Sequence, residues 1–526
     1  MTADPREGRL RPPLPSAPDP RVQKAWNTAT ALFLVFGVVV RCVQFALPRS
    51  LWFDEARNAL DILKPTWLEM LPPHVLQPSP FGFFVLERGV AAMLGESEWA
   101  LRAVPFAAGL GALLLGTHLA RRMLEGVAVP IAVGLLALSG PAIYFGSELK
   151  PYATDLFVFL GIAVLLLRVD AEERTSPATF AGMTLAGVLA PWLSYTSVFL
   201  LAVGGPWLLV RCWHRGRRGD AARWVAVGLT WVASFALLYS LVIAHWSDAG
   251  WLNQHWQKNF APWGSGLGET AAWSFDAFLA AFESPLGLAA WPAIVAAVFF
   301  AIGAVRAVAR PNRLLSLFLG TFALVFASGL FGLYPFHGRL LLFLVPVLAF
   351  LAAHGVEGSL RRTLPAMAQV GLAFGLAIFL LAHPAQMAGS VLVGHPLHGS
   401  GRTNVAGYEG LRWVIPYLKP RWKPGDVIYL YHGAEPEYRY YARQLGFRPP
   451  FVVGARSIPD RQRYADELRA LQGEPRVWIV FAHAMPAEHA FYLEQLDALG
   501  ERVDAVVRPR ADAYLYDLSA APSRKD

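Results

Sequence analysis

The chain has 526 residues, of which 55% are hydrophobic and only 16% charged, with a mean hydropathy of +0.39. That balance excludes an ordinary soluble domain, and a single soluble core rarely grows beyond ~250–300 residues in any case. The net charge of +8 does not indicate nucleic acid, because the arginines recur in small clusters between long apolar runs and form no basic face.

Residues Met1 to about 25 are rich in proline and arginine and lack an apolar region, so the sequence predicts a disordered cytoplasmic tail and no signal peptide. A first apolar run follows from Trp26 to Leu47. Its basic flank, Arg6, Arg9, Arg11, Arg21 and Lys24, is held in the cytoplasm by the positive-inside rule, which places the next loop outside. That external loop, 48–99, contains Phe81 to Leu94, a stretch too short to span and interrupted by Glu87 and Arg88. It reads as a helix in the membrane interface.

Further runs follow near 101–120, 127–145, 153–168, 178–194, 195–211, 223–244, 287–308, 314–333, 338–354 and 365–384, about eleven spans in all at the ~20-residue length of a membrane helix. Arg121 and Arg122, Arg168 and Arg174, the group Arg211 to Arg223, Arg306 to Arg313, and Arg361 and Arg362 then all fall on the cytoplasmic side. An odd number of spans leaves the C-terminus outside. Cys42 and Cys212 lie in or beside spans and support neither a disulfide framework nor a zinc site.

From about residue 401 the pattern changes. Short apolar strands at 427–431, 451–453 and 477–481, with another at 514–518, alternate with helical stretches at 435–445, 460–471 and 488–499. The expected fold is therefore a polytopic α-helical membrane protein, residues 26–384, with an external interfacial helix and a C-terminal extracytoplasmic α/β domain, residues 401–526. No Walker loop, GxGxxG motif or internal repeat accompanies it.

Charge near hydrocarbon is expensive, so ionisable residues at the external helix ends are the informative set. Asp54 and Glu55 follow the first span directly. On one reading Asp54 takes a proton from an attacking hydroxyl while Glu55 makes a structural or metal contact; on the other, the pair caps an interfacial helix. Tyr144, Glu148, Lys150, Tyr152 and Asp155 occupy a short external loop at the same depth, either around a phosphate-linked sugar or as a solvated hairpin. Arg102, His337 and Arg339 open later spans on the same side. Arginine suits a lipid phosphate through its planar fork, and equally anchors helices by snorkelling. His255 and Lys258, in the Trp-rich loop 245–287, are weaker phosphate-binding candidates.

The stretch from Arg41 through Ser50-Leu51-Trp52-Phe53-Asp54-Glu55-Ala56, then Pro78-Ser79-Pro80, then Gly95-Glu96-Ser97-Glu98-Trp99-Ala100-Leu101-Arg102, resembles the dolichyl-phosphate-mannose protein mannosyltransferase-like family of C-type glycosyltransferases, which includes the lipid A aminoarabinose transferases. Lys150-Pro151-Tyr152-Ala153-Thr154-Asp155 matches that family's basic-x-Tyr-x-x-Asp pattern, with lysine where arginine is common. The resemblance implies transfer of a monosaccharide from a polyprenyl-phosphate donor to a hydroxyl of a protein, lipid or glycan at the outer face of a bacterial inner membrane. Asp54 would be the base, and Lys150, Arg339 and Lys258 would meet the leaving phosphate. No nucleotide is required. Some C-type enzymes use a divalent metal, for which Asp54, Glu148 and Asp155 are the candidate ligands. A secondary transporter or flippase is the competing reading; it predicts charges at the bilayer midplane in paired half-repeats, whereas these cluster at one face. A third reading is an inactive scaffold whose outer domain recruits envelope partners.

Overall fold

The computed structural model describes residues 20–247, 250–309, 313–363, 366–399, 410–456 and 461–519. Every apolar run expected to span is helical. Among the described residues, eight helices are long and apolar enough to cross a membrane, and three shorter apolar helices, Ala128–Leu138, Pro177–Leu193 and Leu314–Leu330, occupy the positions of the rest. The chain is an integral membrane protein.

Several boundaries differ from the expectation, each for a local reason. The first helix begins at Pro20, before the apolar run, so residues 20–25 are not part of a disordered tail; residues 1–19 lie outside the described residues. The run at 127–145 breaks at Ser139, whose hydroxyl accepts from the Ala142 amide to start the Gly140–Phe145 helix and donates to the Pro285 carbonyl at 3.0 Å. The long loop 245–287 contains a 17-residue helix, Leu267–Glu283.

The bundle's centre is the segment 338–363, whose first residues form 3-10 turns and whose Val345 to Ala353 stretch is almost wholly buried. A helix apolar all round belongs inside. It meets the Ala290–Ala309 helix at backbone contact: a Cβ on Gly303 would lie 1.9 Å from the Leu351 carbonyl oxygen, and one on Gly355 1.9 Å from that of Phe299. Only glycine permits this approach, the usual device for close helix pairs in lipid.

The outer domain is a five-stranded sheet of β1 (Val427–Leu430), β2 (Val452–Val453), β3 (Val477–Ala482), β4 (Glu501–Arg508) and β5 (Ala511–Asp517), in the order β2-β1-β3-β5-β4. β1 is parallel to both β2 and β3, while β5 is antiparallel to β3 and β4. β4 was not anticipated. Its sequence, Glu-Arg-Val-Asp-Ala-Val-Val-Arg, is an edge strand with charges outward, which hides the apolar alternation. β3 is fully buried and shows as a continuous apolar run. The domain's opening stretch, 401–409, and residues 457–460 and 520–526 lie outside the described residues.

This domain is seated on the first external loop. One apolar cluster runs from Leu51, Ala56 and Phe84 through Tyr440 and Tyr441 to Trp478. The Leu51 amide donates to the Tyr441 hydroxyl at 2.7 Å, and the Tyr440 hydroxyl donates to the Glu96 carbonyl at 2.6 Å. The Phe53–Ile62 helix is thereby held between membrane bundle and outer sheet.

Candidate active site

The Phe53–Ile62 helix carries Glu55, Asn58 and Asp61 at helical spacing, and all three are buried. Each fixes a different neighbour. Asn58 donates to the Leu149 carbonyl at 2.8 Å, and Asp61 accepts from the Leu76 and Gln77 amides at 2.8 and 3.1 Å. The two external loops that flank the helix are thus set by polar residues of the helix itself.

Glu55 is saturated. Its oxygens accept from Arg102 Nε at 2.8 Å, Arg102 Nη2 at 2.6 Å and the Leu149 amide at 2.7 Å. Arg102 in turn donates to the Arg49 and Ser50 carbonyls at 2.9 and 3.0 Å and is 1% exposed. Burial alone would raise the Glu55 pKa, but Arg102 outweighs it and holds the carboxyl below its usual range. Arg102, expected to bind substrate, and Glu55, expected to share in the chemistry, are found paired with each other. Their charges are spent on each other and on backbone, and they lock the turn that presents Asp54.

Asp54 is different. It lies in the first turn of the helix, 17% exposed, with Oδ2 at 3.2 Å from Lys150 Nζ and 3.7 Å from Arg339 Nη1, and Oδ1 accepting from Gln77 Nε2 at 3.2 Å. Burial would raise its pKa; the Lys150 and Arg339 charges more than offset that and leave it lowered, so the carboxylate is ionised at neutral pH. The structure therefore brings together Asp54, Lys150 and Arg339, three residues distant in sequence. Arg339 also lies over the rings of Tyr152 and Trp256, at 5.8 and 5.9 Å. Lys150 is 4% exposed, and burial lowers its pKa against the pull of Asp54.

Glu148 belongs to a neighbouring pair, not to this cluster. Arg49 Nη1 lies 2.5 Å from its Oε1, and Trp52 Nε1 donates to Oε2 at 2.6 Å. Burial and the adjacent Glu55 push its pKa up to about 7, against the opposing pull of Arg49 and Arg102. Asp155 sits in the first turn of the Tyr152–Ala171 helix beside Ser194 and Thr196, and its Oδ1 is buried without a hydrogen-bond partner among the described residues.

His255, Lys258 and His337 are exposed, and among the described residues no hydrogen bond or ion pair ties any of them to Asp54. The metal candidates do not converge either. Among the described residues no three His, Cys, Asp or Glu side chains are grouped to hold a metal, and Asp54 and Glu148 are each paired with cations instead. Sequence reasoning missed Arg49 and Gln77. The signal for Gln77 was available in the 55, 58, 61 spacing, which marks a polar buried helix face; Arg49 reads as an ordinary interfacial arginine.

The chain is similar in structure to ArnT from Cupriavidus metallidurans, solved bound to undecaprenyl phosphate, with a TM-score of 0.57 at 15% identity over 92% of this chain and 97% of that one. It is also similar to the oligosaccharyltransferase AglB from Archaeoglobus fulgidus, solved with an inhibitory peptide and a dolichol-phosphate, with a TM-score of 0.53 at 12% identity over 95% of this chain and 75% of that one. The chain has the C-type glycosyltransferase fold. No protein-family model matches it, and no curated protein matches it by sequence. In this fold the Asp54 cluster occupies the junction between the helix ends and the outer domain, with the two cations facing it from the 146–151 turn and from the start of the 338–363 segment.

Proposed function

We propose that this protein transfers a monosaccharide from a polyprenyl-phosphate donor to an acceptor hydroxyl at the extracytoplasmic face of a bacterial inner membrane. Eleven spans, with the N-terminus inside and the outer domain outside, carry the site. The observation that carries this reading is the Asp54 carboxylate, partly exposed and bracketed by two cations at one end of the bundle. The likeness to structures solved with polyprenyl phosphates supports the donor class.

The acceptor oxygen attacks the anomeric carbon and gives its proton to Asp54. The bond from that carbon to the phosphate oxygen breaks in line, with inversion, and the polyprenyl phosphate leaves with both bonding electrons. Lys150 and Arg339 stabilise the charge that grows on it. A carboxylate held by two cations is a weak base, but the donor phosphate competes for those same cations. Its arrival loosens their hold on Asp54 and raises the basicity of the carboxylate when the sugar is in place. Tyr152 and Asp155 line the same end of the bundle and orient the sugar; Glu55, Arg102, Glu148 and Arg49 position the loops.

Radiolabelled polyprenyl-phosphate sugars, offered singly to membranes containing the protein or Asp54→Asn at equal expression, test the reading. Transfer from one donor that disappears in the variant is expected. Transfer that persists in Asp54→Asn would remove Asp54 as the base.

A further inference from the structure

The parallel strands of the outer domain create a second feature beside the helix that carries Asp54. From β1 the chain goes to β2 on one side and then crosses back to β3 on the other. The crevice beyond the carboxyl ends of strands at such a reversal is where open α/β sheets bind ligands. Here its walls are the segments after β1, residues 431–434, after β2, residues 454–456, and after β3, residues 483–485.

This crevice opens on the Asp54 helix. His483, in left-handed backbone conformation with φ of 54°, stacks on Phe53 with ring centroids 5.0 Å apart and planes at 11°. Gly433 closes the floor: a Cβ there would lie 2.9 Å from the Ala482 carbonyl oxygen and 2.9 Å from the Tyr431 ring. Arg57 stands one helical turn beyond Asp54 with its guanidinium carbon 5.4 Å from the centre of the Phe53 ring on which His483 stacks, and Arg456 lies in the segment that follows β2 at the same strand ends.

The charges around the crevice are unequally committed. Glu488 accepts from the Tyr431 hydroxyl, Glu467 from the Tyr429 hydroxyl and the Ala455 amide, and Glu435 pairs with Arg439 at 2.7 Å. Neither Arg57 nor Arg456 has an ion-pair partner among the described residues, and Arg456 is exposed. His432 Nδ1 is buried there without a hydrogen-bond partner. A buried donor or acceptor left unmatched costs free energy that a ligand recovers.

We propose that this crevice is the acceptor subsite. It takes a hydroxyl compound bearing a phosphate or carboxylate, holds the anion between Arg57 and Arg456 with His432 adding a polar contact, and delivers the hydroxyl to Asp54 from the side opposite Lys150 and Arg339. The proposal rests on the transferase reading for its hydroxyl and stands apart from it for its anion.

Labelling of the full-length protein with phenylglyoxal, mapped by peptide mass spectrometry, tests the anion site without any reaction. Glycerol 1-phosphate should protect Arg456, glycerol should not, and exposed Arg448 should label equally throughout. Protection in detergent points to a phosphate carried by a soluble acceptor. Protection only in phosphatidylglycerol nanodiscs points to a lipid headgroup; absence of protection in both would overturn the site. In the transfer assay, Arg456→Gln should raise the acceptor concentration for half-maximal rate about tenfold or more, the loss expected for a charge-assisted hydrogen bond, with undecaprenyl phosphate binding unchanged. Weakened binding of undecaprenyl phosphate, or an unaltered acceptor requirement, would overturn the assignment to the acceptor. Protection of Arg456 alongside no transfer from any donor would retire the transferase reading and leave the anion site standing.

Discussion

Replacing Asp54 with asparagine should abolish transfer and yet tighten the grip on the donor's phosphate. In the unaltered protein the carboxylate lies 3.2 Å from Lys150 and 3.7 Å from Arg339, so a lipid phosphate must share cations already engaged. At these separations, with an effective dielectric of about 20, each attraction is on the order of 4–5 kcal/mol before desolvation. Most of that is offset by the loss of hydration, since Lys150 is buried and Asp54 nearly so. A net change of about 1–2 kcal/mol remains available to an incoming phosphate once the carboxylate is gone, or roughly 5–30-fold in affinity. The asparagine keeps an oxygen for Gln77, which preserves the turn. Quenching of tryptophan fluorescence by undecaprenyl phosphate is a direct readout, because Trp52 lies against Lys150 with the ammonium 5.9 Å from its ring. Weaker binding in Asp54→Asn than in the parent, with the same melting temperature, would refute the argument that Lys150 and Arg339 serve the phosphate.

Two further outcomes follow from the buried pairs around the site. Arg102→Ala leaves Glu55 charged and buried and orphans the Arg49 and Ser50 carbonyls, so it should cost about 3–5 kcal/mol and lower the melting temperature in detergent, with transfer lost only in proportion to the folded fraction; an unchanged melting temperature would show that the clamp is not structural. Glu148, whose pKa rises in the fold to about 7 from an ordinary 4.5, binds its proton more tightly folded than unfolded, so stability from this group is full below about pH 4.5 and declines as pH rises to about 7. Glu148→Gln should flatten the melting-temperature profile across that window, while the lowered pKa values of Asp54 and Glu55 act in the opposite sense and only at more acidic pH.

The parts of this molecule that sequence revealed are those governed by a one-dimensional rule. Hydrocarbon thickness sets span length, so the long apolar runs were legible as helices, eight of them long and apolar enough to cross among the described residues, and the shorter helix Phe81–Leu94 was legible as a separate element. Asp54, Lys150 and Arg339 were singled out because each is charged at an external helix end. Which of the charged residues at that end face a ligand was not legible. Asp54 and Glu55 are adjacent and chemically alike, but a helix turns about 100° per residue, so one faces Lys150 and Arg339 and the other Arg102. Likewise β4 and the 267–283 helix escaped notice because their periodicity is interrupted by charges or spread through a Trp-rich loop.

On the transferase reading proposed above, the arrangement explains why the bundle carries a soluble domain at all. The bundle supplies cations from two helix starts, and both can be fixed by packing in the hydrocarbon region. An acceptor arriving from water needs a polar wall on the opposite side of the base, and helix ends alone do not provide one. On the acceptor-subsite proposal the outer sheet supplies it through His432, Arg456 and His483, and the same sheet steadies the turn leading to Asp54, because His483 stacks on Phe53 and Tyr441 accepts from Leu51. Docking of the domain and placement of the carboxylate are therefore one event. A change that loosens the Tyr440 and Tyr441 contacts should therefore displace Asp54 from its two cations, as a change among the cations themselves should.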